Sequence, residues 1–334
     1  MVPANMSSED RMLAAQYATS GVRAGEVDVV EIERPEPGSE EVLVRVRVSG
    51  VNPTDLGSRA GHSFDPGHER IVPHHDGAGE IVAVGSNVAA ARVGERVWLW
   101  GAQWRRPQGT AAQFIALPAA QAVRLPDGAS SDLGAGLGIP AMTAHRCLYA
   151  DGPLDGMAVL VQGGAGAVGH AAIELARFGG ARVAATVSSE GKSRLAAAAG
   201  AELVVDYRAD DVTEAVRAWA PEGVSRVIEV AIGTNVGVDA EVLAAGGVIV
   251  SYGVPDKPFV APIPLMAKNG TVRFVLFYTM PDDAKRDAVA GISAALDGGA
   301  LTALPAVRFP LEDIDAAHEA VGEHAVGKVL VDIP

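Results

Sequence analysis

The stretch Ala158-Val-Leu-Val-Gln-Gly-Gly-Ala-Gly-Ala-Val-Gly169 decides the fold. An apolar run suited to a buried strand, Ala158–Gln162, enters a turn in which Gly164, Gly166 and Gly169 are spaced G-x-G-x-x-G. Helical periodicity begins inside the turn and continues from Ala167 to Phe178. A strand that feeds a glycine turn and a helix is the phosphate-binding form of the βαβ unit. The first glycine permits the tight turn, the second lets a pyrophosphate approach the backbone, and the third lets helix and strand pack closely. The helix N-terminus adds free N–H groups and the positive end of its dipole. In a chain with 39 glycines the spacing alone carries little weight. Its place between strand and helix makes it a dinucleotide site.

Working outward, strands at Arg182–Thr186, Leu203–Asp206, Val227–Val230 and Val248–Tyr252 alternate with helices at Lys192–Ala199 and Val212–Trp219. This order predicts an α/β fold with a doubly wound parallel sheet. Helical spacing also precedes the stretch, through Ala141–Tyr149. From Leu13 to about Asp127 the rhythm is different. Short β-branched runs at Val27–Ile32, Glu41–Val51, Gly79–Val84, Arg96–Trp100 and Gln113–Ala116 alternate with Gly/Pro turns, as in a β-rich domain. In Val42–Val48 the alternation puts Arg45 and Arg47 on one face of a half-buried strand. After Met280, helices at Asp282–Leu296 and Ile314–Val321 and a strand at Lys328–Ile333 are placed to fold back on the first domain.

The chain has 334 residues, enough for two ordinary domains, and its 49% hydrophobic content excludes disorder for the body of the chain. Met1–Asp10 reads as a frayed tail. No run of 18 apolar residues and no signal-like N-terminus is present, so a membrane span and secretion are not expected. Cys147 stands alone and supports neither an internal disulfide nor a multi-thiolate metal site, which makes the cytoplasm the default compartment. The net charge of −14 argues against a nucleic-acid partner.

The end of the second strand selects the cofactor. An NAD site would carry Asp or Glu there, whereas this chain has Thr186-Val-Ser-Ser-Glu-Gly-Lys192. Ser188 and Ser189 can donate to a 2′-phosphate and Lys192 can pair with its charge, so NADPH is favoured over NADH. Glu190 leaves open a ribose-binding acid displaced by two positions. Tyr207 is a candidate to cover the adenine or reach the phosphate.

With these residues in view, the chain resembles the zinc-free quinone oxidoreductases, the zeta-crystallin-like branch of the medium-chain dehydrogenase/reductase superfamily. The resemblance runs from Ala14 to Ile333. Its carrying segments are Gly50-Val-Asn-Pro-Thr-Asp55, Asp76-Gly-Ala-Gly79 with Val84-Gly85, Gly94-Glu-Arg-Val97, Ile139-Pro-Ala-Met-Thr-Ala144, the glycine turn, Met266-Ala-Lys268 and Gly327-Lys328. It implies a GroES-like domain over residues 12–137 and 281–334, a Rossmann domain over 138–280, and a tail over 1–11. A nicotinamide cleft is expected between the domains. The expected cofactor-binding set takes in Ala165, Ala167 and Val168 of the turn, then Ser251, Tyr252, Gly253 and Val254, and Val275, Leu276 and Phe277.

Zinc-dependent relatives hold a catalytic metal with two Cys and one His. Here Asn52 occupies the first Cys position, Ile139 lies near the second, and only His75 stands at a ligand position, so no metal is expected. Adjacent His74 and His75 are expected to point to opposite sides of a strand. Without a Lewis acid a plain ketone is poorly polarised, whereas a quinone or conjugated enone delocalises the charge it gains. Asn52 and Thr143 are the candidates beside the nicotinamide and the substrate oxygen, although both types also cap elements. Asp55 is either an orienting group or a structural anchor. Several relatives carry tyrosines two and eight residues after this Asp; Gly57 and Ser63 stand there instead, which changes the pocket wall. Trp98 and Trp100 fit core packing, and Trp104, with Arg105 and Arg106, is a candidate for the cleft mouth.

The resemblance also implies a homodimer through the edge strand expected at Arg273–Tyr278, since a long apolar edge is normally paired or covered. The main reading is NADPH-dependent reduction of quinones or conjugated carbonyls. An enoyl-thioester reductase is the second, hinted at by Arg105-Arg106, and a non-catalytic, crystallin-like or RNA-binding NADPH protein the third.

Overall fold

The computed structural model describes residues 10–22, 25–62, 67–255, 257–259 and 263–334. The expected tail up to residue 9 and Ser63 lie outside the described residues. Arg11, expected in the tail, already pairs with Glu33 in a strand. The chain divides into two compact units, Met1–Ile139 with Pro305–Pro334, and Pro140–Leu304.

In the first unit the strands are β1 (Arg11–Ala18), β2 (Val27–Glu33), β3 (Glu41–Gly50), β4 (Arg70–Ile71), β5 (Asp76–Val84), β6 (Arg96–Leu99), β7 (Phe114–Pro118) and β8 (Ala122–Arg124). β1 is a strand that turn punctuation did not mark. It joins β2 and β4 in a small sheet, and β3 sits at the middle of a larger one. The expected alternation holds in β3: Arg45 and Arg47 are exposed while Val44, Val46 and Val48 are buried. Val44 and Val46 meet Ile81, Val97 and Ile115 in one apolar core, which Val329 and Val331 of the C-terminal strand also enter. Helix α1 (Pro53–Arg59) follows β3 closely, with Pro53 at its first turn where the missing N–H costs nothing. Helix α2 (Ser131–Tyr149) starts ten residues before the helical pattern read in the sequence and runs through Pro140.

The second unit is the doubly wound parallel sheet. Its strands are β9 (Ala158–Val161), β10 (Arg182–Val187), β11 (Leu203–Asp206), β12 (Val224–Glu229), β13 (Leu243–Ser251) and β14 (Thr271–Phe274). They lie in the order β11-β10-β9-β12-β13-β14, all parallel. The order reverses between β9 and β12, and a ligand site is expected beyond the carboxyl ends of the strands at that point. Helices α3 (Ala167–Phe178), α4 (Glu190–Ala198), α5 (Val212–Trp219) and α6 (Ile232–Val242) are the crossovers, and the short α7 (Ile263–Ala267) precedes β14.

Two expectations are corrected. The edge strand read as Arg273–Tyr278 ends at Phe274, and Phe277–Thr279 form a 3-10 turn that buries Phe277 and Tyr278. Helix α8 (Asp282–Asp297) belongs to the second unit, not the first. Its Ala284, Ala288, Ile292 and Ala295 are buried, and a Cβ on Gly291 would come within 2.4 Å of the His145 ring of that unit. The closing elements β15 (Ala306–Pro310), α9 (Ile314–Gly322) and β16 (Lys328–Asp332) do return to the first unit, where β16 pairs with β3.

Candidate functional site

The glycine turn follows β9 and is tied to β10: the Gly163 N–H donates to Thr186 Oγ1 at 3.2 Å and the Gly164 N–H to the Thr186 carbonyl at 2.9 Å. The left-handed residue is Gly163, at φ 73°, one position ahead of the motif. Gly164 instead answers to packing, because a Cβ there would lie 2.7 Å from the Ala185 methyl. Gly169 lets α3 close on the turn, since a Cβ would lie 2.3 Å from the Gly163 carbonyl. Gly166 is exposed, and a Cβ would meet only the Gly163 carbonyl, at 3.5 Å. The protein itself therefore needs Gly164 and Gly169, while Gly166 keeps an open, uncovered side. As the N-cap of α3, Gly166 sets the unpaired N–H groups of Ala167, Val168 and Gly169 there. Ala165, at the turn's centre, is buried.

The remaining expected cofactor residues converge on the same edge of the sheet. Ser188 and Ser189 follow β10, and Lys192 Nζ donates to Ser188 Oγ at 3.1 Å. Ser189 caps α4 by accepting from the Lys192 N–H. Tyr207, half-exposed, is brought beside them by the pairing of Val187 with Asp206, and its own N–H donates to the Val187 carbonyl. Glu190 is committed elsewhere, accepting from Arg194 at 2.6 Å on an exposed face. Ser251 ends β13, and its buried Oγ has no partner in the protein. Gly253 has no room for a Cβ, which would sit 2.0 Å from the Val230 carbonyl. The Val275 N–H donates to the Ser251 carbonyl at 2.9 Å; Val254 and Leu276 are exposed, and Phe277 is buried. Tyr252 lies one residue past Ser251, where burial raises its phenol above the ordinary range. An exposed glycine, free helix N–H groups and an unpartnered serine hydroxyl fit a dinucleotide.

The first unit holds a buried polar corner around Asn52. Asn52 precedes α1 and is 3% exposed, and its side-chain amide is held between two charged groups. Asn52 Nδ2 donates to Asp76 Oδ2 at 2.7 Å, and Lys328 Nζ donates to Asn52 Oδ1 at 2.8 Å. Lys328 Nζ also donates to the Val51 carbonyl at 2.9 Å. The other Asp76 oxygen accepts the Ile139 N–H at 2.9 Å. Gly138 makes that reach geometrically available, because a Cβ there would lie 2.0 Å from Asp76 Oδ1. Asp55 Oδ2 accepts the Asn52 N–H at 2.7 Å, while its Oδ1 is buried without a partner. Burial above all, with the charge of Asp76 adding to it, carries the Asp55 carboxyl up to about 8, so it is a neutral acid near pH 7. Burial also lifts Asp76, to about 6, against the pull of Lys328. Burial lowers Lys328, against the pull of both acids.

The histidines sit close by. His74 has a left-handed backbone, φ 78°, so the expectation that it and His75 alternate along a strand is corrected. Its ring is locked in a relay: Arg59 donates to His318 Nδ1, the His318 and His74 Nε2 atoms are 2.9 Å apart, and His74 Nδ1 meets Ser49 Oγ at 2.8 Å. Burial pushes His75 down to about 3. Asn52 offers an amide, Ile139 an apolar side chain, and the Ile139 N–H is spent on Asp76, so these residues do not fit a tetrahedral zinc. Among the described residues, no group of three or more His, Cys, Asp and Glu side chains is arranged for a metal ion.

Thr143 is buried within α2, in the second unit, and is not a helix cap. Trp98 is fully buried in β6, as expected. Trp104 is half-buried in a turn, with the Arg105 guanidinium 5.4 Å from its ring. Arg106 donates to Gln121 Oε1 at 2.9 Å and is half-buried, which removes one of the two cations that hinted at a thioester carrier. Asp76 and Lys328 stand within motifs of the sequence, but their spacing in the chain gave neither a role. The available signal was a charged residue heading an apolar or glycine-rich strand in each case.

Two family models match the chain: the alcohol dehydrogenase GroES-like domain over residues 38–127, and zinc-binding dehydrogenase over 167–293. Human quinone oxidoreductase is 28% identical over 305 residues, covering 90% of this chain and 92% of the relative. A mycobacterial protein solved in complex with NADPH has a TM-score of 0.80 and 28% identity, over 96% of this chain and 99% of that one. A component of the phenolphthiocerol/phthiocerol polyketide synthase of Mycobacterium tuberculosis is 29% identical over 93% of this chain, which spans 14% of that relative.

Proposed function

The chain is a quinone oxidoreductase-like enzyme of the medium-chain dehydrogenase/reductase superfamily with a nicotinamide-binding Rossmann unit, and we propose that it reduces quinones or other conjugated carbonyl compounds with NADPH and without zinc. The observation that carries this reading is the state of Asn52. Its amide is bound on one side by a carboxylate and on the other by an ammonium, so the corner offers a hydrogen bond where zinc-dependent relatives offer metal ligands. The bound cofactor supplies the hydride from its nicotinamide ring. The chain's own residues bind the phosphates at the glycine turn, recognise the 2′-phosphate through Ser188, Ser189 and Lys192, and orient the acceptor oxygen through Asn52. An acceptor that spreads its developing charge over a conjugated system needs no stronger electrophile.

The likeness to a polyketide synthase favours one second reading, reduction of an enoyl thioester. The two are separated by following NADPH absorbance with a panel of quinones, simple enones and an enoyl-CoA. Oxidation with quinones and enones supports the first reading, and oxidation with the enoyl-CoA alone replaces it by the second. Oxidation with none, despite tight NADPH binding, refutes both.

The same reading includes a homodimer formed along β14, an edge strand with exposed Phe274, in a unit that also exposes Ile263 and Met266. Among the described residues no helix is long and apolar enough to cross a membrane. A cytoplasmic setting belongs to the proposal, resting on a single, buried cysteine.

A further inference from the structure

Lys328 closes the chain's last motif, Gly327-Lys328, and nothing in the proposed reaction uses it. It is 5% exposed, and its stem runs where side chains are missing: a Cβ on Gly50 would sit 3.3 Å from Lys328 Cε, and one on Gly136 would sit 3.9 Å from Cγ. A buried ammonium is expensive unless its donors are used and its charge is answered. Two donors reach the Val51 carbonyl and Asn52 Oδ1, and the neighbouring negative charge that answers it near pH 7 is that of Asp76.

An asparagine amide can be turned end for end at little cost unless its neighbours distinguish oxygen from nitrogen. Here they do. A flipped Asn52 would set its NH2 against the Lys328 ammonium, donor to donor, and its oxygen against the Asp76 carboxylate, acceptor to acceptor. The observed orientation satisfies both charges and leaves one Nδ2 hydrogen uncommitted. Asp76 is itself fixed by the Ile139 N–H.

We propose that Lys328, with Asp76, is a positioning residue that locks the Asn52 amide in the one orientation that presents an N–H to the acceptor oxygen. The proposal rests on the reading that Asn52 faces the substrate, and it adds an internal lysine as the group through which Asn52 is aimed. Lys328 does not touch substrate. It acts by denying Asn52 the alternative rotamer, so its loss weakens the turnover of bound substrate and leaves the glycine turn of the second unit as it was.

The test is a double-mutant cycle between Lys328→Met, which keeps the stem and removes the charge, and Asn52→Ala. NADPH affinity by fluorescence, and kcat and KM with a quinone, are measured for each variant. Lys328→Met is expected to lower kcat by about 10- to 100-fold, the worth of a charge-assisted hydrogen bond, with the NADPH dissociation constant within about twofold of wild type. The double variant is expected to be no slower than Asn52→Ala alone. Asp76→Asn, which keeps shape but loses the obligate acceptor, is expected to reproduce the kcat loss should Lys328→Met not fold. Additive losses in the double variant, or wild-type kcat in Lys328→Met beside an impaired Asn52→Ala, overturn the proposal and leave the reading of Asn52 intact. Wild-type kcat in Asn52→Ala overturns both together.

Discussion

Replacing Asp239 by asparagine should stabilise the protein, and by more at neutral than at acid pH. Asp239 and Glu229 are both fully buried in the second unit. Gln162 Nε2 donates to Asp239 Oδ1 at 2.8 Å, Asp239 Oδ2 is buried with no partner, and the nearby Glu229 charge opposes ionisation, so the pair favours one acid holding a proton. Burial, then the charge of Glu229, raises Asp239 well above its ordinary 3.8. A carboxyl whose folded value is raised stabilises the fold fully below its unfolded value and loses that contribution as pH rises towards the folded value. Within that window wild-type stability falls by about 1.4 kcal/mol per pH unit. The asparagine amide would keep the acceptor for Gln162 and carry a permanent donor for Glu229, so it titrates nowhere. The advantage of Asp239→Asn should therefore grow as pH rises above the ordinary carboxyl value of 3.8, at up to about 1.4 kcal/mol per pH unit. Urea unfolding followed by circular dichroism at pH 5, 6 and 7, without NADPH, measures it. An advantage that is the same at pH 5 and pH 6, or a variant less stable than wild type at pH 7, would refute the shared proton. Asp239→Leu separates shape from protonation: it strands Gln162 Nε2 and should be about 1–3 kcal/mol less stable than Asp239→Asn at every pH.

Three further outcomes are expected. Lys192→Ala should raise the KM for NADPH roughly tenfold while leaving that for NADH nearly unchanged, because only the 2′-phosphate uses the ammonium; equal changes would remove the NADPH assignment. Prolonged treatment with a strong chelator should leave quinone reduction intact, and activity that falls and returns with added zinc would refute the metal-free corner. Phe274→Glu should convert a dimer to a monomer by light scattering, since it charges an exposed apolar edge, and an unchanged mass would place any dimer contact elsewhere.

Much of the second unit was legible because its signals are local. Strand, turn and helix around Gly164 are consecutive in the chain, from Ala158 to Phe178, and their periodicities require that order of elements. What the sequence could not assign was the division of labour within the turn. The left-handed backbone falls on Gly163, and Gly164 is needed because the Ala185 methyl lies against it. That contact belongs to the neighbouring strand and has no trace in the motif. The misplaced helix Asp282–Asp297 has a similar cause. Its apolar stripe announces that one face is buried, but the partner is chosen by fit, and Gly291 fits the His145 ring.

The corner around Asn52 was half legible, and the missing half bears on the chemistry. A sequence shows that the cysteine ligands are absent, but it cannot show what replaces their charge, because Lys328 and Asn52 are 276 residues apart along the chain. The fold brings together one ammonium, one carboxylate lifted to about 6 and one acid lifted to about 8, so near pH 7 the corner balances its own charge. A self-neutralised corner can offer an oriented N–H, but not the strong field of a divalent cation. An acceptor that localises a full negative charge on one oxygen gains little from such a donor. One that carries the charge into a ring or across a conjugated chain needs little more than to be held in place. The proposed preference for conjugated acceptors thus rests on how Asn52 is held as much as on the cysteine it replaces.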